Sequence, residues 1–207
     1  MRRLALAAMA AALLATPAAF AQDKLNTGWY GTLSGSYIQP EDNDGPSNST
    51  LEFDNGFAIY GAGGYRFPNN FRVEGEVGYG NIDLDRLKVG STSAKLNGDV
   101  DLFTATGAVF YDFATGTRFT PYAGLGAGIA HQKSSRVSAT SGTTTVTANG
   151  DSGTDLTAFG EAGVSINIAP KFDLVPAYRY QWINDGESGF DDTTAHVFKV
   201  GLRYWFN

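Results

Sequence analysis

Apolar and polar residues alternate with a period of two along most of this chain, which is the pattern of strands with one greasy face. The first run is Trp29, Gly31, Leu33, Gly35, Tyr37; the second carries Phe57, Ile59, Gly61, Gly63, Tyr65, Phe67; the third Phe71, Val73, Gly75, Val77, Tyr79. Phe103, Ala105, Gly107, Val109, Tyr111 and Phe113 make a fourth, odd positions from Phe119 to Ile129 a fifth, and even positions from Leu156 to Ile168 a sixth. Phe172, Leu174, Pro176, Tyr178, Tyr180 and Trp182 form the seventh, and Phe198, Val200, Leu202, Tyr204 and Phe206 the eighth. Each run approaches the ~9–11 residues with which a tilted strand crosses a bilayer. Pro176 lies inside a run and removes a ladder donor, so a bulge or local kink is expected there.

The connections alternate in length. Runs two, four and six end in quick turns at Pro68-Asn69-Asn70, Ala114 to Thr117 and Ala169-Pro170-Lys171. Runs one, three, five and seven lead into long segments at Gln39–Asn55, Asn81–Gly98, His131–Thr154 and Ile183–Thr193. Short turns on one rim and long loops on the other are the habit of transmembrane barrels.

Charge decides which face meets what. The alternate positions named above hold no ionisable side chain, whereas the opposite face carries Arg66, Arg72, Glu74, Glu76, Asp112, Arg118, Glu161, Asp173, Arg179, Lys199 and Arg203. A Lys or Arg facing lipid at mid-membrane costs ~2–4 kcal/mol, so these groups belong inside a closed barrel, paired with one another. A soluble lipocalin-like barrel would reverse the faces. Two features favour lipid outside: aromatics crowd the ends of the apolar runs as interfacial girdles do, and Gly64, Gly78, Gly80, Gly124, Gly126, Gly128, Gly163 and Gly201 fall on the charged face, where a narrow bore needs small residues. The expected fold is all-β, an eight-stranded antiparallel up-and-down transmembrane β-barrel.

The N-terminus reads as an export signal. Arg2 and Arg3 precede the apolar run Leu4 to Leu14, and Ala19-Phe20-Ala21 supplies a small-x-small cleavage pattern. This assigns 1–21 to a cleaved signal peptide and 22–207 to the barrel. Without Arg2 and Arg3 the chain keeps 13 Lys+Arg against 21 Asp+Glu, about −8, a poor match for nucleic acid. There is no cysteine, hence no disulfide framework.

Four pieces carry a family resemblance: Gly63-Gly64-Tyr65-Arg66-Phe67 before a short turn, Pro121-Tyr122-Ala123-Gly124-Leu125-Gly126-Ala127-Gly128, Tyr178-Arg179-Tyr180, and the closing Val200-Gly201-Leu202-Arg203-Tyr204-Trp205-Phe206. Together they resemble the small outer-membrane β-barrel proteins related to the OmpA transmembrane domain and the opacity-type surface antigens. The resemblance implies residence in the bacterial outer membrane among its lipid and lipopolysaccharide, and recognition of the last strand by the barrel-insertion machinery. Such relatives usually end on Phe; here Asn207 follows Phe206. No peptidoglycan-binding domain is expected after the barrel, so the cell-wall tethering of full-length OmpA relatives is not expected to carry over.

Candidate chemistry is sparse. Counted from the turn rim, Glu76, Glu161, Arg179 and Lys199 fall at similar mid-height, where two acids and two bases can form a salt-bridge plug; similar networks in OmpA-type barrels are thought to gate ion flow. Interior glue without gating is the other reading. Outer-membrane lipid A deacylases are similar in size and fold but use a His with a nearby Ser and an acid. Here His131-Gln132-Lys133-Ser134 opens a loop and His196 has only Thr193 and Thr194 close in sequence. No catalytic residue, cofactor or metal site is assigned. Glu41, Asp42, Asp44, Glu52 and Asp54 make the first loop acidic, Asp185, Glu187, Asp191 and Asp192 the fourth, and the Ser/Thr/Gly-rich stretch Ser134 to Thr154 is expected to be mobile. The function expected is structural and non-enzymatic: envelope integrity and surface display by a monomer. An adhesin binding a host surface ligand through its loops, or a narrow small-solute pore, are the alternatives.

Overall fold

The structure is a computed structural model describing residues 26–41, 43–45, 49–89, 92–97, 99–134, 137–141, 144–148, 152–184 and 192–206. The proposed signal segment, Asn207, and the loop acids Asp42, Asp185, Glu187 and Asp191 lie outside the described residues. In chain order the strands are β1 (Gly28–Pro40), β2 (Asn43–Gly45), β3 (Ser49–Arg66), β4 (Phe71–Val89), β5 (Thr92–Asn97), β6 (Asp99–Asp112), β7 (Phe119–Ser134), β8 (Val137–Ser141), β9 (Thr144–Ala148), β10 (Ser152–Ala169), β11 (Phe172–Ile183) and β12 (Thr193–Trp205).

Eight of these close a ring. β1 pairs antiparallel with β3, β3 with β4, β4 with β6, β6 with β7, β7 with β10, β10 with β11, β11 with β12, and β12 returns to β1 from Tyr30↔Trp205 to Pro40↔Ala195. Closure uses the backbone donors and acceptors that hydrocarbon cannot satisfy. The quick turns are built locally. In the first, Phe67 N–H donates to Phe71 O at 2.9 Å and Asn70 adopts φ 69°, a left-handed conformation that Asn tolerates. In the second, Gly116 takes φ 67°.

The strands outrun the expected loop boundaries. β3 and β10 have 18 residues each and β4 has 19, so the walls continue beyond the aromatic rim. The stretch expected to be mobile contains the β8–β9 hairpin, registered from Val137↔Ala148 to Ser141↔Thr144, and β8 pairs with β5. Thr and Val dominate this hairpin, and β-branched residues suit extended backbone even where overall polarity suggests a loop. Pro176 also departs from expectation. The β10–β11 register is the same on both sides of it, Gly163↔Ala177 and Ile166↔Leu174, and Pro176 stays paired with Val200; the register shift lies at Asn167/Ala169. A missing donor thus interrupts one ladder locally without adding a residue to it.

The faces sort by charge. Leu33 is 69% exposed and Leu125 73%, while Arg72 and Arg179 are at 0% and 1%. Of the eleven ionisable groups assigned to the interior, Arg118 is the exception: it is exposed in the turn before β7, its guanidinium 4.9 Å from the Phe119 ring. It precedes the strand, so the alternation that orients its successors does not govern it.

Aromatic pairs mark two levels on the outer wall: Trp29 and Tyr37 on β1, Phe57 and Tyr65 on β3, Phe71 and Tyr79 on β4, Phe103 and Tyr111 on β6, each eight residues apart. Eight residues of strand span about 27 Å, or roughly 20 Å along the barrel axis at a tilt near 40°, close to the ~25 Å apolar band of such barrels. At the turn rim the rings meet edge to face, Trp29–Tyr65 at 5.2 Å, Phe71–Tyr111 at 5.0 Å and Tyr111–Phe113 at 5.1 Å.

Glycines do opposite work on the two faces. A Cβ on inward Gly78 would fall on the Tyr60 ring and 2.6 Å from Thr104 Oγ1, and one on Gly163 would lie 2.7 Å from Tyr122 Oη; Gly75 and Gly107, on the outer wall, have nothing within 4 Å. Gly78→Val is therefore expected to destabilise the barrel by ~1–3 kcal/mol or abolish folding, whereas Gly75→Val changes stability by only about 0.5 kcal/mol. Unfolding followed by heat-modifiable gel mobility separates the two, and equal losses would contradict the assignment of faces.

Candidate functional site

The bore is crossed at mid-height by a ring of four ionised side chains, one from each of four strands. Glu161 on β10 and Arg179 on β11 are direct register partners. Arg179 Nη2 lies 2.8 Å from Glu161 Oε2, and its Nη1 reaches Glu76 Oε1 on β4 at 2.7 Å. Since β4 and β11 stand four strands apart in either direction round an eight-strand ring, this one guanidinium spans the lumen. Lys199 Nζ on β12 completes the circuit, 2.6 Å from Glu76 Oε2 and 3.3 Å from Glu161 Oε2. The structure thus brings Glu76, Glu161, Arg179 and Lys199 into mutual contact, all four buried.

Aromatic rings line the circuit. Arg179 Cζ lies 3.7 Å from the Phe159 ring centroid, Lys199 Nζ 4.5 Å from that of Tyr60, and Tyr122 Oη donates to Glu161 Oε1 at 3.1 Å. A planar, weakly hydrated guanidinium is well suited to this position, because it forks between two carboxylates while stacking on an aromatic face.

A second tier fills the half of the bore nearer the turns. Arg72 Nε and Arg66 Nε lie 2.9 and 3.0 Å from the two oxygens of Asp112. Tyr30 Oη donates to Glu74 Oε2 at 2.7 Å, and the Arg72 guanidinium sits 4.7 Å from the Phe110 ring and 4.8 Å from that of Tyr122. Asp173 accepts from Trp205 Nε1 at 2.8 Å and from Ser165 at 3.1 Å, and Arg203 donates to Ser165 and to Thr32, each at 3.3 Å. Sequence reasoning placed these charges inside but did not find their aromatic partners. Tyr30, Tyr60, Phe110, Tyr122, Phe159 and Trp205 all lie on the parity opposite the apolar run of their strands, which is the signal that reveals them.

The two tiers hold Arg66, Arg72, Arg179, Lys199 and Arg203 against Glu74, Glu76, Asp112, Glu161 and Asp173, so their formal charges balance. Two small cavities lie among these described residues: one of about 20 Å³ beside Glu76, Glu161, Lys199 and Arg203, and one of about 10 Å³ beside Arg66, Asp173 and Trp205. Each admits about one water molecule.

Both histidines lie outside this core. His131 Nδ1 is 2.8 Å from Thr154 Oγ1. His196, near the loop rim of β12, is joined across strands to Tyr178 on β11 and to Glu41 just after β1, partners that its neighbours in sequence do not suggest. Among the described residues no three His, Asp or Glu gather to hold a metal.

A closed eight-strand wall with an apolar exterior, aromatic girdles and a charged interior defines an outer-membrane β-barrel. Residues 5–206 match the family model described as outer membrane protein beta-barrel domain, and the chain belongs to that family and resides in the outer membrane. It is 26% identical to an outer membrane protein of Gluconacetobacter diazotrophicus over 99% of its own length, and spans 64% of that curated relative. Among solved structures it is similar to the outer membrane protein OprG from Pseudomonas aeruginosa, with a TM-score of 0.59 and 17% identity over 87% of this chain and 97% of that one. It is similar also to Neisserial surface protein A, with a TM-score of 0.53 and 21% identity over 87% and 98%. These likenesses establish the fold.

The circuit should behave as one unit. Arg179→Met leaves two carboxylates facing one ammonium and is expected to cost ~3–5 kcal/mol. Glu76→Gln and Lys199→Met combined should cost at least about 1 kcal/mol less than the sum of their single effects. Urea unfolding in lipid vesicles measures both, and strict additivity would mean that the four groups do not share a network.

Proposed function

We propose that the chain is a closed, non-enzymatic outer-membrane barrel that strengthens the envelope and carries its long loops to the cell surface. The observation that carries this reading is the bore. Glu76, Glu161, Arg179 and Lys199 link strands on opposite sides, and the two lumen cavities beside them and beside Asp173 hold about a water each. In this reading the network is interior glue and a permeability seal at once: side chains that bridge the bore leave no path for a solute, and their ion pairs resist separation because each group would be stranded at low dielectric.

The lateral grooves on the outer wall open toward the lipid. That of about 570 Å³ is lined chiefly by Gly31, Leu33, Gly61, Val77 and Leu202. Surface display is favoured by the length of β3, β4 and β10 and by the β8–β9 hairpin, which raise strand structure above the loop-side girdle. Processing at 21/22 and recognition of the last strand by insertion machinery belong to the same proposal.

In planar bilayers the intact protein is expected to hold current at background, and Arg179→Ala or Glu76→Gln to raise it. A steady current in the intact protein, unchanged by both substitutions, would exclude the seal and favour the pore. Loop deletions that abolish attachment to host surfaces while the barrel still folds would shift the assignment to an adhesin.

A further inference from the structure

The first and last strands of a barrel meet at one seam, and here a side-chain cluster sits on it outside the lumen. β1 and β12 pair from Tyr30↔Trp205 up to Pro40↔Ala195, and the seam is carried one step further where Glu41 N–H donates to Thr194 O at 2.9 Å. The Glu41 side chain then turns back over β12 and β11. Its Oε2 accepts from Thr194 Oγ1 at 2.5 Å and from Tyr180 Oη at 3.5 Å, and its Oε1 lies 3.1 Å from His196 Nε2. The other imidazole nitrogen, Nδ1, lies 2.6 Å from Tyr178 Oη, and the ring stacks on Tyr178 at 5.9 Å between centroids. One carboxylate thus gathers groups from the last two strands onto the end of the first.

We propose that Glu41, Thr194, His196, Tyr178 and Tyr180 form an acid-releasable clasp that holds the barrel seam shut at its loop-side end. The chemistry makes Glu41 the trip point. His196 keeps an Nε2–H for the carboxylate whether the ring is neutral or charged, and Nδ1 changes only from accepting the Tyr178 hydroxyl to donating to it. Thr194 and Tyr180 donate throughout. Protonating Glu41 removes the negative charge on which all of these donors converge and replaces an acceptor with a donor.

Among the described residues, the titratable groups facing Glu41 are His196 from β12 and Tyr178 and Tyr180 from β11. Asp192, two residues before Thr194, accepts from Trp182 Nε1 at 3.0 Å and Asn184 Nδ2 at 3.3 Å. The Thr194 hydroxyl, and after it the neighbouring imidazole, hold the Glu41 carboxyl below its ordinary range. A depressed carboxyl contributes stability at neutral pH, and that contribution is lost as pH falls through the lowered value. The clasp is therefore engaged at neutral pH and released in acid.

Amide hydrogen exchange on the full chain in vesicles tests this, comparing the intact protein with Glu41→Gln at pH 7 and down an acid series. The two proteins differ at residue 41 alone, so every other response to pH is common to both. At pH 7, Glu41→Gln should lower protection of the residue-41 and Ala195 amides roughly three- to tenfold, with mid-strand amides of β10 and β11 unchanged; once the Glu41 carboxylate is protonated the two proteins should converge. Thr194→Val should give part of the loss and Thr194→Ser should restore it, which keeps the test available if Glu41→Gln folds poorly. Equal protection at pH 7, or a pH-dependent loss of the same size in Glu41→Gln, would overturn the proposal.

Discussion

A charge cannot rest in hydrocarbon, and in this molecule that single constraint arranges nearly everything else. Ten ionised side chains ride on strands that must cross the bilayer, so they turn inward and are drawn into mutual contact. Within these ten, five positive charges balance five negative. Arg179 shows the consequence most directly: its guanidinium is tied to Glu161 beside it and Glu76 across the lumen, with Phe159 beneath. The pairs do not merely fill the barrel. They fasten opposite walls.

Packing supplies the room for this. A narrow bore cannot hold long charged chains and large rings at every level, so bulky residues face glycines on neighbouring strands. Tyr60 occupies the space that a side chain at Gly78 would take, Tyr122 that of Gly163, and Phe159 that of Gly126. Outside, the same residue type leaves open wall for lipid, as at Gly75 and Gly107. The rings thereby reach the cations and replace water as their environment. Sealing and stiffness follow from one set of contacts, and a long-looped exterior needs that stiff base.

The eight barrel strands, the turn positions and the face of nearly every side chain assigned to them were legible in the sequence, because a period-two pattern records burial directly and hydrocarbon makes that record strict. The four residues of the mid-height circuit were legible for the same reason: distance from the turn rim orders side chains along the bore. What local reading missed depends on register between distant strands. Glu76 and Arg179 are 103 residues apart, and only the closed ring places them in contact. His196 and Glu41, 155 apart, likewise meet only at the seam. The β8–β9 hairpin escaped notice because hydroxyl-rich segments look like solvated loops until a neighbouring strand offers pairing. Arg118 misled because it adjoins a strand without belonging to it, and Pro176 because one strand can lose a donor and keep its count.

The central claim is the direction in which the two faces point, and site-directed spin labelling tests it most directly, since the chain has no native cysteine. Nitroxides placed singly at Leu33, Val77 and Leu125 in reconstituted protein should collide freely with dissolved oxygen, which concentrates in lipid, and hardly at all with a water-soluble nickel relaxant. Labels at Thr104 and Val175 should be shielded from both. Outer-wall labels that relax with nickel instead, together with Thr104 and Val175 labels accessible to oxygen, would contradict the account.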